Sequence, residues 1–67
     1  MNKFEEFLDG FAISAEIGRD EADEQWAGFS RQLSDGERNR IEGSGFEAGL
    51  EEGDKFLAAY GGGTVPA

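Results

Sequence analysis

The sequence predicts an all-α protein, a small bundle of three to four short helices completed by oligomerisation. Two observations carry that expectation. Apolar residues recur at helical spacing in three separate stretches, and a residue suited to capping a helix opens each one. Strict apolar–polar alternation occurs only once, and a lone strand has no partner to pair with.

The first segment runs from about Asn2 to Ile17. Phe4, Phe7, Leu8, Phe11 and Ala15 fall on one side of a helix, Asn2 is placed to cap its start, and Gly18 to stop it. Phe11, Ile13, Ala15 and Ile17 are the alternating set, so a half-buried strand over 11–17 is the competing assignment. If the segment is helical, Ile13 and Ile17 lie opposite the main stripe. One helix is then apolar on two sides, which means an exposed binding patch or a place inside a larger assembly.

The second segment begins at Asp20 as N-cap. Glu21, Asp23 and Glu24 fill its first turn, where the helix dipole favours anions, and Ala22, Trp26, Phe29 and Leu33 form its apolar stripe. Both Ser34-Asp35-Gly36-Glu37 and Ser44-Gly45-Phe46-Glu47 have the form of a capping box. They suggest a short helix near 35–42, a break at Gly43-Ser44 and a longer helix over 45–60, with one helix over 35–60 as the alternative. Phe46, Leu50, Leu57 and Tyr60 lie on one side of the last helix. Gly45, Gly49 and Gly53 line up beside them, although each interior glycine costs about 1 kcal/mol against alanine. Close approach of another helix backbone would offset that cost. The neighbour is either a helix of the same chain or one of a second copy. Gly61-Gly62-Gly63 ends the helix, leaving 61–67 as a flexible tail or an extended peptide docked on a neighbour.

The chain has 67 residues, enough for one domain, here 1–60. A domain so short is marginal without a disulfide, a metal or a neighbour. With neither Cys nor His, it has no disulfide, no thiolate metal site and no imidazole to serve as ligand or base. A neighbour is the remaining support, most simply a second copy related by a two-fold axis. Its contact is expected at the Gly45/Gly49/Gly53 ridge or the Ile13/Ile17 edge.

Fifteen acidic and six basic residues give a net charge of −9. The imbalance is even along the chain, with 8 acids and 3 bases in residues 1–33 and 7 and 3 in residues 34–67. Such a surface repels nucleic acid and anionic membranes and attracts basic protein surfaces. No apolar run approaches the roughly 20 residues that span a bilayer. The start, Met1-Asn2-Lys3-Phe4-Glu5-Glu6, lacks the form of a signal peptide, so a cytoplasmic location is expected.

Cofactor and metal motifs are missing. Asp35, Glu37 and Asn39 alternate like the first ligands of an EF-hand, but Arg40 and Phe46 occupy the positions that need Gly and Glu. A di-metal carboxylate bundle needs Glu-x-x-His. Gly43-Ser44-Gly45 does not continue into a phosphate loop. Arg31, Arg38 and Arg40 form the basic cluster, which either pairs with neighbouring acids or holds a small anionic ligand beside Trp26 or Tyr60. The paired carboxylates read as solvated faces and helix starts, not as an acid–base pair in a cleft.

In size, acidity and lack of catalytic apparatus the chain is similar to small phage-encoded inhibitors of bacterial defence, including anti-CRISPR and DNA-mimic proteins. The resemblance implies an inhibitor whose carboxylates compete for the Lys and Arg of a nucleic-acid-binding partner, without contacting nucleic acid itself. The expected partner-binding face is Glu5, Glu6, Asp9, Glu16, Asp20, Glu21, Asp23 and Glu24. A self-assembling helical adaptor is the alternative from another class, and a sequestering protein for a small anion is the third. A shared acidic face favours the first reading, and scattered acids favour the second.

Overall fold

The computed structural model describes residues 2–61, and every regular element among them is helical. In chain order these are α1 (Lys3–Ala15), α2 (Arg19–Phe29), a 3-10 turn (Ser30–Gln32), α3 (Asp35–Glu42) and α4 (Phe46–Tyr60). Residues 62–67, most of the expected tail, lie outside the described residues.

Asn2 caps α1 as expected, its Oδ1 accepting the Glu5 N–H at 2.8 Å. The stop differs from expectation. Glu16, not Gly18, takes the left-handed conformation (φ 60°, ψ 44°). The Ile17 N–H then donates to the Ala12 carbonyl at 3.1 Å and the Glu16 N–H to that of Ile13 at 3.3 Å. These two bonds form a Schellman cap, which folds the residue after the turn back onto the last helical turn. Residues 11–15 are therefore helical and the strand alternative falls.

α2 starts two residues before the expected position. Gly18 is its N-cap, with no side-chain cap, and the Gly18 carbonyl accepts from Glu21 and Ala22. Asp20 sits in the first turn instead. The helix tightens into the 3-10 turn at Ser30, so Leu33 is extended rather than helical.

Ser34 and Glu37 make the predicted capping box in full. The second predicted box does not form. The Ser44 hydroxyl turns back to the Arg40 carbonyl at 2.8 Å, and Gly45 becomes the N-cap of α4. Gly45 adopts φ 83°, ψ −152°, a region essentially confined to glycine, which breaks the chain between α3 and α4 and removes the single-helix alternative.

α1 and α4 form the centre of the bundle. Lys3 lies against Gly45, Phe7 and Phe11 against Gly49, and Phe11, Ser14 and Ala15 against Gly53. The register advances in the same sense on both helices, so they run parallel, and α2 and α3 carry the chain back between them. The approach is backbone to backbone. A Cβ added at Gly53 would lie 2.6 Å from the Phe11 carbonyl oxygen, and one at Gly10 would lie 2.9 Å from the Leu50 nitrogen. One at Gly49 would run into the Phe7 carbonyl.

The glycine ridge is therefore occupied by a helix of the same chain. Gly49 and Gly53 are buried under α1 and Gly45 beneath Lys3, so the ridge is not free to meet a second copy. The buried face of α4 is Gly49, Glu52, Gly53 and Phe56, rather than the predicted Phe46/Leu50/Leu57/Tyr60 stripe.

α2 covers the other side of α1. The Trp26 ring sits 4.6 Å from that of Phe7 and 5.6 Å from that of Phe11, while Phe29 meets Phe56 edge-on at 5.6 Å. These offset and edge contacts suit the ring quadrupoles. With Leu8, Ala12, Ala15 and Ala22 they close an apolar core within one chain. α3 contributes no buried residue. Ile41 packs on the core from outside, and the Trp26 indole N–H donates to Glu42 Oε2 at 2.8 Å.

Candidate protein-interaction surface

The face of α1 turned away from the core carries Glu5, Asp9 and Ile13, spaced four residues apart and therefore aligned, and Glu16 follows in the left-handed turn that ends the helix. Glu6 flanks them. Two of these acids have cations: Lys3 Nζ lies 3.7 Å from Glu6 Oε1, and Arg19 Nε donates to Asp9 Oδ1 at 2.9 Å. Arg19 also reaches Asp23 Oδ2 at 3.7 Å, so one guanidinium joins the acidic edges of α1 and α2. Glu5 and Glu16 are exposed.

The predicted acidic set is only partly one face. On α2, Asp20 and Glu24 stand one turn apart on the side opposite Ala22, Trp26 and Phe29. Asp23 lies on the flank towards Asp9, and Glu21 lies on the other flank. The structure thus gathers Glu5, Asp9 and Asp23 near one edge, leaves Glu16 exposed in the turn after α1, and spreads the remaining α2 acids around the helix.

Ile13 projects from the last turn of α1 on its outer face and is 63% exposed. Beside it a groove of about 440 Å³ is lined by Asp9, Ala12, Ile13, Ile17, Arg19 and Phe46. Local structure explains each wall. The Schellman cap folds Ile17 back over Ala12. The glycine-only turn at Gly45 delivers Phe46 as the first residue of α4, where it is 41% exposed. The Arg19–Asp9 pair closes one end. The sequence sets Ile13 and Ile17 on a second apolar side of the first helix; in the structure only Ile13 stands there, while Ile17 lies past the end of α1, packs against the core and lines the groove beside Ile13. Phe46 was missed. It had been assigned to the inner stripe of the last helix, although its position directly after Gly-Ser-Gly was a usable signal.

The arginine cluster does not form a ligand site with Trp26, which is 2% exposed and whose indole N–H is already bonded. Arg38 lies 3.5 Å from Glu42, the same carboxylate that accepts from Trp26. Arg31 and Arg40 are exposed on the 3-10 turn and α3. Near Arg40, Glu37 is held below its ordinary value of 4.5, first by the Ser34 backbone N–H and then by the Ser34 hydroxyl.

Among the described residues no group of three or more acids is placed to hold a metal ion, and no helix is long and apolar enough to cross a membrane. No family model matches the chain, and no curated protein or solved structure is significantly similar to it.

Proposed function

We propose that this chain is a small acidic protein-binding module that docks on a basic surface of a nucleic-acid-binding protein and blocks it. The observation that carries the reading is the charge on α1, α2 and their junction: eight carboxylates, from Glu5 to Glu24, against Lys3 and Arg19. A surface that binds a duplex is built for one negative charge about every 1.7 Å, so its Lys and Arg side chains meet these carboxylates favourably, first of all Glu5, Asp9 and Asp23, which share an edge. The field also steers encounter, raising the association rate at low ionic strength. The whole-chain charge of −9 keeps the module away from nucleic acid itself.

The experiment is capture from a lysate of the source cell by the immobilised chain, with elution by salt and by duplex DNA. The captured protein should leave the resin in about 1 M salt, where the screening length falls to about 3 Å, and duplex DNA should displace it. The triple variant Glu5→Lys, Glu16→Lys, Glu24→Lys should capture far less while keeping its helical circular dichroism. Capture that withstands salt, DNA and charge reversal would show that the acids are not the docking surface.

A further inference from the structure

We infer that the groove between Ile13, Ile17 and Phe46 is the specificity pocket of this surface, and that its occupant is a cationic amphipathic helix of the partner. The inference rests on the acidic docking reading and adds to it the shape of what docks. Charge alone would bind any basic protein, whereas an apolar anchor within a carboxylate rim selects for a particular pattern of side chains.

Charge complementarity argues for the occupant. Glu5, one turn before the groove residue Asp9, and Glu16, next in the chain to the groove residue Ile17, are both exposed and in no ion pair among the described residues. Arg19 lines the groove but is shared by Asp9 and Asp23, so the trio sums to one negative charge. A second copy of this chain would bring the same rim and another −9 to the contact, and is disfavoured by repulsion. Its other expected contact, the glycine ridge, is covered by α1.

Shape argues for a helix. The groove is more open to solvent than an enclosed cavity, which suits the edge of a helix more than a buried small molecule. Strand addition needs a free sheet edge, and the described residues contain no strand. A helix laid along α1 can insert a Leu or Phe between Ile13 and Phe46 and set Lys or Arg about two turns away beside Glu5, with another cation near Glu16.

The test uses a fluorescein-labelled synthetic peptide of about five helical turns, with Leu along one face and Lys elsewhere, and a scrambled peptide of the same composition. Binding is read by anisotropy near 0.15 M salt. The amphipathic peptide should bind at least about ten-fold more tightly than the scrambled one, and I13S should remove that preference without changing the charge. F46S should act in the same direction, and circular dichroism of both variants checks the fold. Equal affinity for the two peptides, or indifference to I13S and F46S, overturns the proposal. If that equal affinity is also lost in Glu5→Lys, Glu16→Lys, the acidic docking reading survives and only the groove falls. If neither peptide binds even near 0.01 M salt, both readings fall. A wild-type dimer in sedimentation equilibrium that I13S dissolves, with no peptide preference, assigns the groove to a second copy and also overturns the proposal.

Discussion

Two glycines in this chain have opposite reasons for being glycine. At Gly49 a methyl group would collide with the Phe7 carbonyl, whereas at Gly36 nothing lies within 4 Å. Gly49→Ala should therefore destabilise the fold by about 1–3 kcal/mol through overpacking, despite the better helix propensity of alanine. Gly36→Ala should stabilise it by up to about 1 kcal/mol. Urea denaturation of both variants checks the signs, and a stabilising Gly49→Ala would contradict the close α1–α4 crossing. Glu16 presents the reverse case, a side chain where the backbone favours glycine (φ 60°). Glu16→Gly should raise stability by about 1 kcal/mol by relieving the left-handed strain at the Schellman cap. An unchanged denaturation midpoint would mean that the unfolded chain gains as much freedom as the folded one loses strain.

Among the helices, α3 is held differently from the rest. α1 and α4 interlock through their backbones, while α3 is anchored by its capping box, by Ile41 and by the Glu42–Trp26 hydrogen bond. Its amides should exchange with solvent well before those of α1 and α4, since elements with few buried contacts open locally. Glu42→Ala leaves the indole N–H without its acceptor and should cost about 1–3 kcal/mol, accompanied by a shift in Trp26 fluorescence. Acid should loosen the same element. The folded state lowers the Glu37 pKa below 4.5, so its contribution is complete above that value and is lost as pH falls through the lowered folded value. A Glu37 carboxyl resonance that titrates at or above 4.5 would contradict the box.

At the scale of the whole molecule, the Cα radius of gyration is 10.5 Å, close to the roughly 10–11 Å of a compact domain of this length. α1 covers the glycine ridge, so of the two contacts expected for a homo-oligomer the Ile13/Ile17 edge is the one left uncovered within the chain. Fifteen acids on so small a body repel one another, and salt should relieve that repulsion. The thermal midpoint should rise between about 0.01 and 0.15 M salt, as the screening length drops from about 30 to about 8 Å. Partner affinity should fall over the same range. A midpoint that falls with salt would show that ion pairs such as Arg19–Asp9 outweigh the repulsion.

The all-helical class, the Asn2 cap, the Ser34–Glu37 box and most of the first two apolar stripes were legible because each is a local pattern within one helix; Phe4, in the first turn of α1, is exposed instead, and Leu33 falls outside α2. The inner face of α4 was not. Periodicity weighs apolar side chains, and glycine has none, so the count favoured Phe46, Leu50, Leu57 and Tyr60. The face that turned inward was Gly49, Gly53 and Phe56, where the α1 backbone leaves room for nothing larger than hydrogen at the two glycines. The same crossing decided the candidate site. Ile13 stood out in the sequence as an apolar residue on the wrong side of its helix, but its partnership with Phe46 is created by the parallel packing of two helices far apart in the chain. From the sequence alone came which stretches are helical, the Asn2 and Ser34 starts of two of them and how negative their surface is, since these depend on neighbours within a turn or two. Tertiary structure alone decided which faces are covered and which apolar residues share a groove, because those depend on how closely one backbone can approach another.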